Sequence, residues 1–321
     1  MLDRSTIPVR VMAIRYEATD IRSYVLRRTD GVAFPGVDPG AHIDLRLPNG
    51  IERSFSLSNG VSDQGDYRIT IARDESGRGG SRFMHDQVRA GDVLTMSTPR
   101  NNFALARDAV RSLFIAGGIG ITPFLPMLTS LNRLGRSWQL IYCTGNAERA
   151  ALLGEIERLA GAGHGELTCH FSQTAGRLDI GEALARLPPD AHVYCCGPNG
   201  MLRDFRAAAE QTGIASDRLH FEYVRSDAEN PAHGGFTVVL QRSGRQIAVK
   251  AGQTILEALQ EANIEVPYSC MEGICGSCET KVISGTPDHH DMILTERERQ
   301  IKGTMMICCS GAKSEELVLD L

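Results

Sequence analysis

The chain has 321 residues, 42% of them hydrophobic, and a formal net charge of −5. That length predicts two or three domains of about 100–150 residues each. The negative net charge argues against a nucleic-acid partner, and no apolar run approaches the ~18–20 residues of a membrane span.

The first 105 residues predict an antiparallel β domain. Short runs of alternating hydrophobicity are separated by turn residues, which is typical of a β-sandwich or β-barrel. The predicted strands are 8–14, 23–27, 42–47, 53–58, 67–72 and 93–98, with one helix at 81–88.

Two segments of this β domain have the chemistry to bind a phosphate. Arg53 begins the run Arg-Ser-Phe-Ser-Leu-Ser, in which a cation precedes alternating hydroxyl groups that can hydrogen-bond a polar ring. The run Gly77-Arg-Gly-Gly-Ser-Arg82 precedes the predicted helix and can offer backbone amides to an anion. Each segment alone is a weak signal, because surface arginines and glycine-rich turns are common.

From residue 112 the sequence alternates between strand and helix patterns, which predicts a parallel α/β sheet. The predicted strands are 113–116, 138–143, 166–171, 191–195 and 219–223, and the predicted helices are 122–134, 147–159, 180–187 and 201–211. The first strand ends in Gly117-Gly-Ile-Gly-Ile-Thr-Pro123, where glycines let a dinucleotide pyrophosphate approach a helix N-terminus. Thr122 is predicted to cap that helix, and Pro123 suits its first turn. Because the full G-x-G-x-x-G fingerprint is absent, a tight turn without a ligand is the alternative interpretation.

A later strand of this sheet ends in Cys196-Gly-Pro at another helix start. Ligands of open α/β sheets bind at the carboxyl ends of the strands, so Cys196 is predicted to face the ligand crevice. The alternative is a small buried thiol, as predicted for Cys143 and Cys169.

The loop at 144–149 bears on coenzyme choice. Enzymes that use NADPH need a cation for the 2′-phosphate. Arg149 is the one cation in this loop and Glu148 stands beside it, so the sequence favours NADH.

Near the C-terminus, four cysteines follow the plant-type [2Fe–2S] spacing, with gaps of four, two and 29 residues: Cys270, Cys275, Cys278 and Cys308. Gly273 and Gly276 let the backbone wrap closely and direct amides at sulfur. The adjacent Cys309 makes the fourth ligand ambiguous; the 29-residue gap favours Cys308 and leaves Cys309 a buried thiol.

Zinc and disulfides are the alternatives for these cysteines. A zinc site usually has two close cysteine pairs, and disulfides need an oxidising compartment. No signal-peptide pattern is present at the N-terminus, so we expect a cytoplasmic protein. His289 and His290 are interpreted as exposed loop residues rather than metal ligands.

Taken together, these motifs resemble the phthalate dioxygenase reductase family, the iron–sulfur flavoprotein reductases of Rieske oxygenases. The resemblance covers essentially the whole chain. It implies an FMN-binding antiparallel β-barrel at 1–105, an NAD-binding α/β parallel-sheet domain at 106–225, a linker at 226–234 and a C-terminal α+β (β-grasp) ferredoxin domain at 235–321.

The resemblance also implies site residues. The implied FMN contacts are Arg53, Ser54, Phe55, Ser56, Arg73, Gly79, Gly80 and Ser81. The implied NADH contacts are Gly117, Gly118, Gly120, Thr122, Cys196, Gly197 and Pro198. Ser56, near flavin N5, and Cys196, near the nicotinamide, would position the reacting groups. The cluster ligands would be the four cysteines already named.

Two positions depart from the family pattern. Phe55 stands where the family usually has tyrosine, so an aromatic wall survives without its hydroxyl. Val224 stands where the family often has an aromatic residue that covers the flavin. Whether Tyr223 substitutes for that ring is left open by the sequence.

The implied function is electron transfer from NADH, through FMN and the cluster, to the Rieske-type oxygenase component of an aromatic-ring oxygenase or O-demethylase, by a monomer. Residues 235–321 carry 12 acidic and 8 basic side chains, a net charge of −4 that would steer a basic partner or simply aid solubility. The alternatives are an FAD/[2Fe–2S] reductase for a di-iron monooxygenase or hybrid-cluster protein, a redox-sensing regulator, and a binding module without turnover.

Overall fold

The computed structural model describes residues 6–59, 65–75, 77, 79–188, 190–224, 235–268, 271, 273, 276–291, 293–294 and 296–321, the last range without the side chains of 296 and 297. The chain divides into two compact units, Met1–Val224 and Arg225–Leu321. The predicted linker at 226–234 lies outside the described residues. In the part of the chain that is described, no helix is both long and apolar enough to cross a membrane.

The first unit begins with the predicted β domain. Its elements are β1 (Thr6–Ala18), β2 (Ile21–Arg28), β3 (His42–Arg46), β4 (Glu52–Ser56), β5 (Tyr67–Ala72), α1 (Gly80–Asp86) and β6 (Val93–Ser97). The sheet order is β4-β3-β6-β1-β2-β5 with antiparallel pairing. Beyond β4, Leu57 bridges Ile69 of β5 and the Ser58 amide donates to the Arg68 carbonyl at 2.8 Å. These contacts close the sheet, so of the two predicted architectures the barrel is confirmed.

The second half of this unit is the predicted parallel sheet. Its strands are β7 (Arg111–Gly117), β8 (Ser137–Thr144), β9 (Gly165–Phe171), β10 (His192–Gly197) and β11 (Leu219–Tyr223). Its helices are α2 (Phe124–Arg133), α3 (Leu153–Ala160), α4 (Ser172–Ala175), α5 (Ile180–Ala185) and α6 (Asn199–Thr212). The strand order is β11-β10-β7-β8-β9, and each recorded pair is parallel. This order brings the carboxyl ends of β7 and β10 together.

Two sequence predictions in this sheet are wrong. The helix predicted at 147–159 is a short 3-10 turn, Ala147–Arg149, followed by α3, because Leu152 adopts φ +61° and interrupts the helix. Thr122 does not cap α2: its hydroxyl donates to the Ile119 carbonyl at 3.0 Å, and no side chain caps the helix. The reason is a 3-10 turn, Gly118–Ile121, that separates the strand from the helix.

The second unit has the topology expected for a β-grasp ferredoxin. Its elements are β12 (Phe236–Leu240), β13 (Gln246–Val249), α7 (Ile255–Glu261), β14 (Glu279–Ser284), β15 (Pro287–Asp288), α8 (Glu296–Lys302), β16 (Thr304–Met306), β17 (Gly311–Ala312) and β18 (Glu316–Leu319). The main sheet has the order β13-β12-β18-β14-β16, in which the first and last strands of the unit pair in parallel. Thr254 and Glu257 form a reciprocal capping box that starts α7. The apolar face of α7, including Leu256 and Leu259, is buried in the core of this unit.

Candidate functional site: a flavin and dinucleotide crevice with a cluster loop

The predicted phosphate-binding residues meet at one end of the barrel. A Cβ on Gly80 would lie 2.6 Å from Cγ of Arg53, so the arginine side chain crosses directly over the glycine at the start of α1. Gly79 adopts φ +89°, a conformation that favours glycine. Ser81 accepts a hydrogen bond from the Asp74 amide at 3.1 Å, which leaves its hydroxyl proton available to an anion. Arg53, Gly79, Gly80 and Ser81 therefore fit a phosphate.

Arg73 has other partners in the structure. Its guanidinium is paired with Glu75 at 2.6 Å and also with Asp86. These two carboxylates already compensate its charge, so its contact with the flavin stays a prediction.

The two serines of β4 point the same way along the strand. Ser54 donates to Asp44 at 2.6 Å, and that carboxylate also binds Arg100. Ser56 donates to Glu222 at 3.3 Å, a contact between the barrel and β11 of the parallel sheet. Phe55 lies between them in sequence and packs against the barrel core. The predicted flavin strand thus reaches the nucleotide-binding half of the unit through Ser56.

Glu222 is a site residue that the sequence reasoning missed. It pairs in register with Cys196 on β10, whose other neighbour is Ala116 on β7. Burial raises the pKa of Glu222 to about 7, against the opposing effect of the Ser56 hydrogen bond. The sequence feature that could have predicted Glu222 is an acidic residue near the carboxyl end of a strand, in the same sheet as Cys196. Ser56, Glu222 and Cys196 thus form a row across the barrel and the sheet.

Cys196 is only 2% exposed. Burial, and then the nearby Glu222, raise the pKa of its thiol well above the ordinary value, so the sulfur is protonated and poorly nucleophilic at neutral pH. It can act by position rather than by covalent chemistry.

The two glycine turns that were predicted to bind NADH pack against each other. A Cβ on Gly117 would lie 2.6 Å from Cδ of Pro198, and one on Gly120 would collide with the Cys196 carbonyl. Gly118 adopts φ +54°. The lack of side chains keeps the carboxyl ends of β7 and β10 close, at the edge where a pyrophosphate binds in α/β sheets.

One buried polar side chain at this edge fits a bound dinucleotide. Asn199, the first residue of α6, is 3% exposed, and neither atom of its amide group has a hydrogen-bond partner within the described residues. Buried amides normally have partners. A bound nucleotide at the neighbouring Gly197 and Pro198 turn would supply them.

The arginines near the ends of β8 and β9 are paired. Arg149 lies 3.7 Å from Asp20 of the barrel, and Arg177 donates to Asp204 of α6 at 2.7 Å. Both cations face a carboxylate, which is consistent with the NADH preference predicted from the loop at 144–149.

The end of β11 settles which side Tyr223 faces. Tyr223 is 8% exposed and its ring meets Phe221 edge-on at 5.9 Å. Alternation along the strand puts Glu222, which contacts Ser56, on the opposite side. Val224 is 37% exposed. Tyr223 therefore does not replace the aromatic cover that the family often has at position 224.

An ion pair joins the barrel to the nucleotide-binding half. The Arg68 guanidinium donates to both carboxylate oxygens of Glu155, at 2.6 and 3.0 Å, and to the hydroxyl and carbonyl of Ser58. Its side chain is 12% exposed. Beside it, the Thr19 amide donates to the Glu148 carbonyl at 3.0 Å. These contacts hold the barrel against the parallel-sheet half of the first unit.

The cluster loop lies in the second unit. Two of the predicted ligands, Cys270 and Cys275, lie outside the described residues. Cys278 and Cys308 are each 4% exposed, and the Gly273 amide donates to Sγ of Cys308 at 3.3 Å. Amide-to-sulfur hydrogen bonds and buried thiols are the environment that an iron–sulfur cluster requires.

The neighbouring thiol of Cys309 also lies against Gly273 and interacts with Cys308. Its Sγ is directed at the Met306 carbonyl at 3.7 Å. Gly273, at φ +67°, sits so close beneath this sulfur that a Cβ would collide with it. The hydrogen bond from the Gly273 amide to Cys308 favours Cys308 over Cys309 as the fourth ligand.

Comparisons with known proteins agree with this architecture. The "2Fe-2S iron-sulfur cluster binding domain" model matches residues 238–313, and the "Oxidoreductase NAD-binding domain" model matches residues 114–207. The chain is 45% identical over 318 residues to the phenoxybenzoate dioxygenase subunit beta of Ectopseudomonas oleovorans, covering 98% of this chain and 97% of the relative. It is 43% identical over 321 residues to the tetrachlorobenzoquinone reductase of Sphingobium chlorophenolicum, covering 99% and 98%.

A solved structure matches over nearly the full length. Phthalate dioxygenase reductase, described as a modular structure for electron transfer from pyridine nucleotides to [2Fe–2S], is 36% identical, with 99% of this chain and 98% of that chain covered and a TM-score of 0.80. Barrel, parallel sheet and ferredoxin unit occur in the order that the sequence predicted. The chain therefore belongs to the phthalate dioxygenase reductase family, oxidoreductases that use NADH, FMN and a [2Fe–2S] cluster.

Proposed function

We propose that this chain is the NADH-dependent reductase component of a Rieske-type aromatic-ring oxygenase or O-demethylase system, acting as a cytoplasmic monomer. The observation that carries the proposal is the Ser56–Glu222 hydrogen bond, which joins the flavin strand to the nucleotide-binding sheet in a chain that also contains a cluster domain.

The chain's own residues position the reaction partners. When bound, the cofactors supply the redox chemistry, a two-electron acceptor and a one-electron carrier. Arg53 would hold the flavin phosphate, and the Gly117–Gly120 turn would hold the pyrophosphate of NADH. Ser56 and Glu222 would orient the nicotinamide against the flavin edge. Hydride transfer needs no general base, so placement is the main contribution of the protein.

The proposed partner is an oxygenase component. One similar protein carries the name of a dioxygenase subunit, which supports this assignment. The second unit has a net charge of −4 over residues 235–321, which would steer a basic surface of the oxygenase toward it.

Cytochrome c reduction tests the electron path. Flavin-loaded, cluster-loaded protein should reduce cytochrome c with NADH. The Cys308→Ser variant should still reduce its flavin with NADH but lose most of the cytochrome c reduction. A wild-type protein that cannot reduce cytochrome c would contradict the reductase assignment. Reduction of a purified Rieske-type oxygenase, against a di-iron monooxygenase component as control, tests the partner class.

A second candidate is direct reduction of a quinone. The 43% identity to a tetrachlorobenzoquinone reductase favours it. NADH oxidation with a halogenated benzoquinone, measured in parallel with oxygenase reduction, separates the two. A specificity constant for the quinone far above that for the oxygenase would favour the second candidate.

A further inference from the structure

A buried carboxylate lies against the cluster loop. Asp291 is 3% exposed overall, and its side chain has no exposed surface. A Cβ on Gly273 would lie 3.1 Å from Cα and 3.4 Å from Cβ of Asp291. Gly273 is the residue whose amide donates to Cys308. Asp291 thus packs directly on the backbone that binds a ligand sulfur.

Three groups hold this carboxylate in place. The Leu294 amide donates to Oδ2 at 2.8 Å, and Nδ1 of His289 lies 3.3 Å from Oδ1. The Arg299 guanidinium donates to the Asp291 backbone carbonyl at 2.8 Å and lies 3.8 Å from Oδ2. The side chain of His289 is only 13% exposed, so its interpretation as an exposed loop residue is wrong.

The carboxyl group is ionised at neutral pH. Burial raises the pKa of Asp291, but the hydrogen bonds from His289 and Leu294 and the charge of Arg299 outweigh it and leave the pKa below its ordinary value. A negative charge is therefore present beside the cluster loop, in surroundings that screen it poorly.

We propose that Asp291 and Arg299 tune the reduction potential of the cluster in opposite directions. The potential of an iron–sulfur centre depends on nearby charge and on hydrogen bonds to sulfur. The Asp291 carboxylate disfavours an added electron and lowers the potential, whereas the Arg299 cation favours it and raises the potential. Asp291 is a positioning residue as well, because its backbone supports the Gly273 turn.

The alternative is that Asp291 only shapes the loop, by accepting from the Leu294 amide. Asn at this position keeps an acceptor oxygen for that amide and removes the charge. A structural role alone predicts no fixed relation between the effects of the two residues, whereas the electrostatic role predicts shifts of opposite sign.

The experiment is an EPR-monitored redox titration of the cluster in the full-length, cofactor-loaded protein. We expect Asp291→Asn to raise the midpoint potential, Arg299→Gln to lower it and Arg299→Lys to restore it toward the wild-type value. The matched controls are Asp320→Asn and Arg242→Gln, which make the same charge changes in a largely solvent-exposed ion pair of the same unit, 2.9 Å apart. Their shifts should be clearly smaller, because exposed charges are screened.

Several outcomes would overturn the proposal. Unchanged potentials, shifts of the same sign for Asp291→Asn and Arg299→Gln, or shifts no larger than the controls would each contradict it. If Asp291→Asn does not retain a cluster, the direction of the potential shift in the Arg299 variants still tests the proposal. If neither the Asp291 nor the Arg299 variants retain a cluster, the two residues have a structural role and the proposal is wrong. Because the inference rests on the cluster of the proposed reductase, absence of an EPR signal in reduced wild-type protein would instead contradict the proposed function.

Discussion

The flavin and nucleotide unit assembles its site from distant parts of the sequence, whereas the ferredoxin unit takes most of its ligands from one loop. Ser56 and Glu222 are 166 residues apart and meet through a single hydrogen bond. By contrast, three of the four predicted cluster cysteines fall within residues 270–278. The first site depends on how two halves are held together. The second depends on local backbone geometry and on the turn after β16, which carries Cys308.

This difference predicts how each site fails. A change in the cluster loop should remove its cofactor and leave the other site intact. A single change in the flavin crevice should reduce cofactor binding or hydride transfer only partly, because residues from several strands and helices position the reacting groups together.

Cys308→Ser should abolish the visible [2Fe–2S] spectrum while flavin reduction by NADH persists, because a cluster needs all four thiolates. Cys309→Ser is the matched control: it makes the same change one residue away, on a sulfur directed at Met306, and should retain the cluster. Absorption, EPR and iron content measure the result. Loss of the cluster in Cys309→Ser with retention in Cys308→Ser would reverse the ligand assignment.

Arg53→Ala should weaken FMN binding about 10- to 100-fold, the effect of losing about 1.5–3 kcal/mol from hydrogen bonds to a charged group. Arg46→Ala is the control, since that arginine is exposed on the neighbouring strand and pairs with Glu52 at 3.5 Å. Titration of deflavinated protein with FMN, followed by flavin fluorescence, gives both affinities. Equal affinity in the two variants would remove Arg53 from the phosphate site.

The contrast between the units also explains what the sequence could predict. Alternating hydrophobicity located all six barrel strands and all five strands of the parallel sheet, because each buries one or both faces in a core. The cluster spacing was readable because its ligands are local. The sequence did not show that Leu152 breaks the helix at 147–159, because a positive φ is unusual for leucine and this residue adopts it while buried in the core.

The two site residues that the sequence did not predict, Glu222 and Asp291, also make their contacts with distant parts of the chain. Glu222 became a site residue only when β4 of the barrel was placed beside β11. Asp291 lies thirteen residues beyond Cys278 and meets Gly273 only after the chain returns to the loop. The strands β14, β16 and β18 of the ferredoxin unit were not predicted.

The Arg68–Glu155 pair tests whether the two halves of the flavin crevice are held by a specific contact. Each single variant, Arg68→Gln or Glu155→Gln, should slow NADH-to-flavin hydride transfer about tenfold, since small misplacement of reacting groups is costly. The double variant should cost little more than either single one, with a coupling energy of about 1 kcal/mol. Stopped-flow flavin bleaching measures the rates, and the NADH concentration dependence separates binding from transfer.

The exposed pair formed by Glu182 of α5 and Arg186, which caps the C-terminus of that helix, supplies the control for this cycle. Gln at either position should leave the transfer rate unchanged, because surface i,i+4 pairs contribute little. Fully additive effects of the Arg68 and Glu155 variants would show that the two side chains act independently, and the two halves would then be held together by their other contacts, among them the Ser56–Glu222 hydrogen bond.

The smallest predicted effect concerns the charge of Glu222. Its folded-state pKa of about 7 lies above its ordinary value of 4.5, because burial penalises the carboxylate. An acid with a raised pKa stabilises the fold fully below the unfolded pKa, and that contribution is lost as pH rises through the folded pKa. Wild-type protein should therefore lose stability relative to Glu222→Gln between about pH 4.5 and 7, by at most about 1–2 kcal/mol because the site is partly open to water.

Thermal unfolding of flavin-loaded protein at pH 5 and pH 8 measures this difference. Glu222→Gln should gain stability over wild type at pH 8 more than at pH 5, whereas Glu166→Gln, the same change on β9 next to Gln139 of β8, should show no such dependence. The pH dependence of hydride transfer should lose its inflection near pH 7 in Glu222→Gln alone. An equal stability difference at both pH values would mean that Glu222 is ionised throughout, and its hydrogen bond with Ser56 would then be a bond to a permanent carboxylate that orients the nicotinamide by charge.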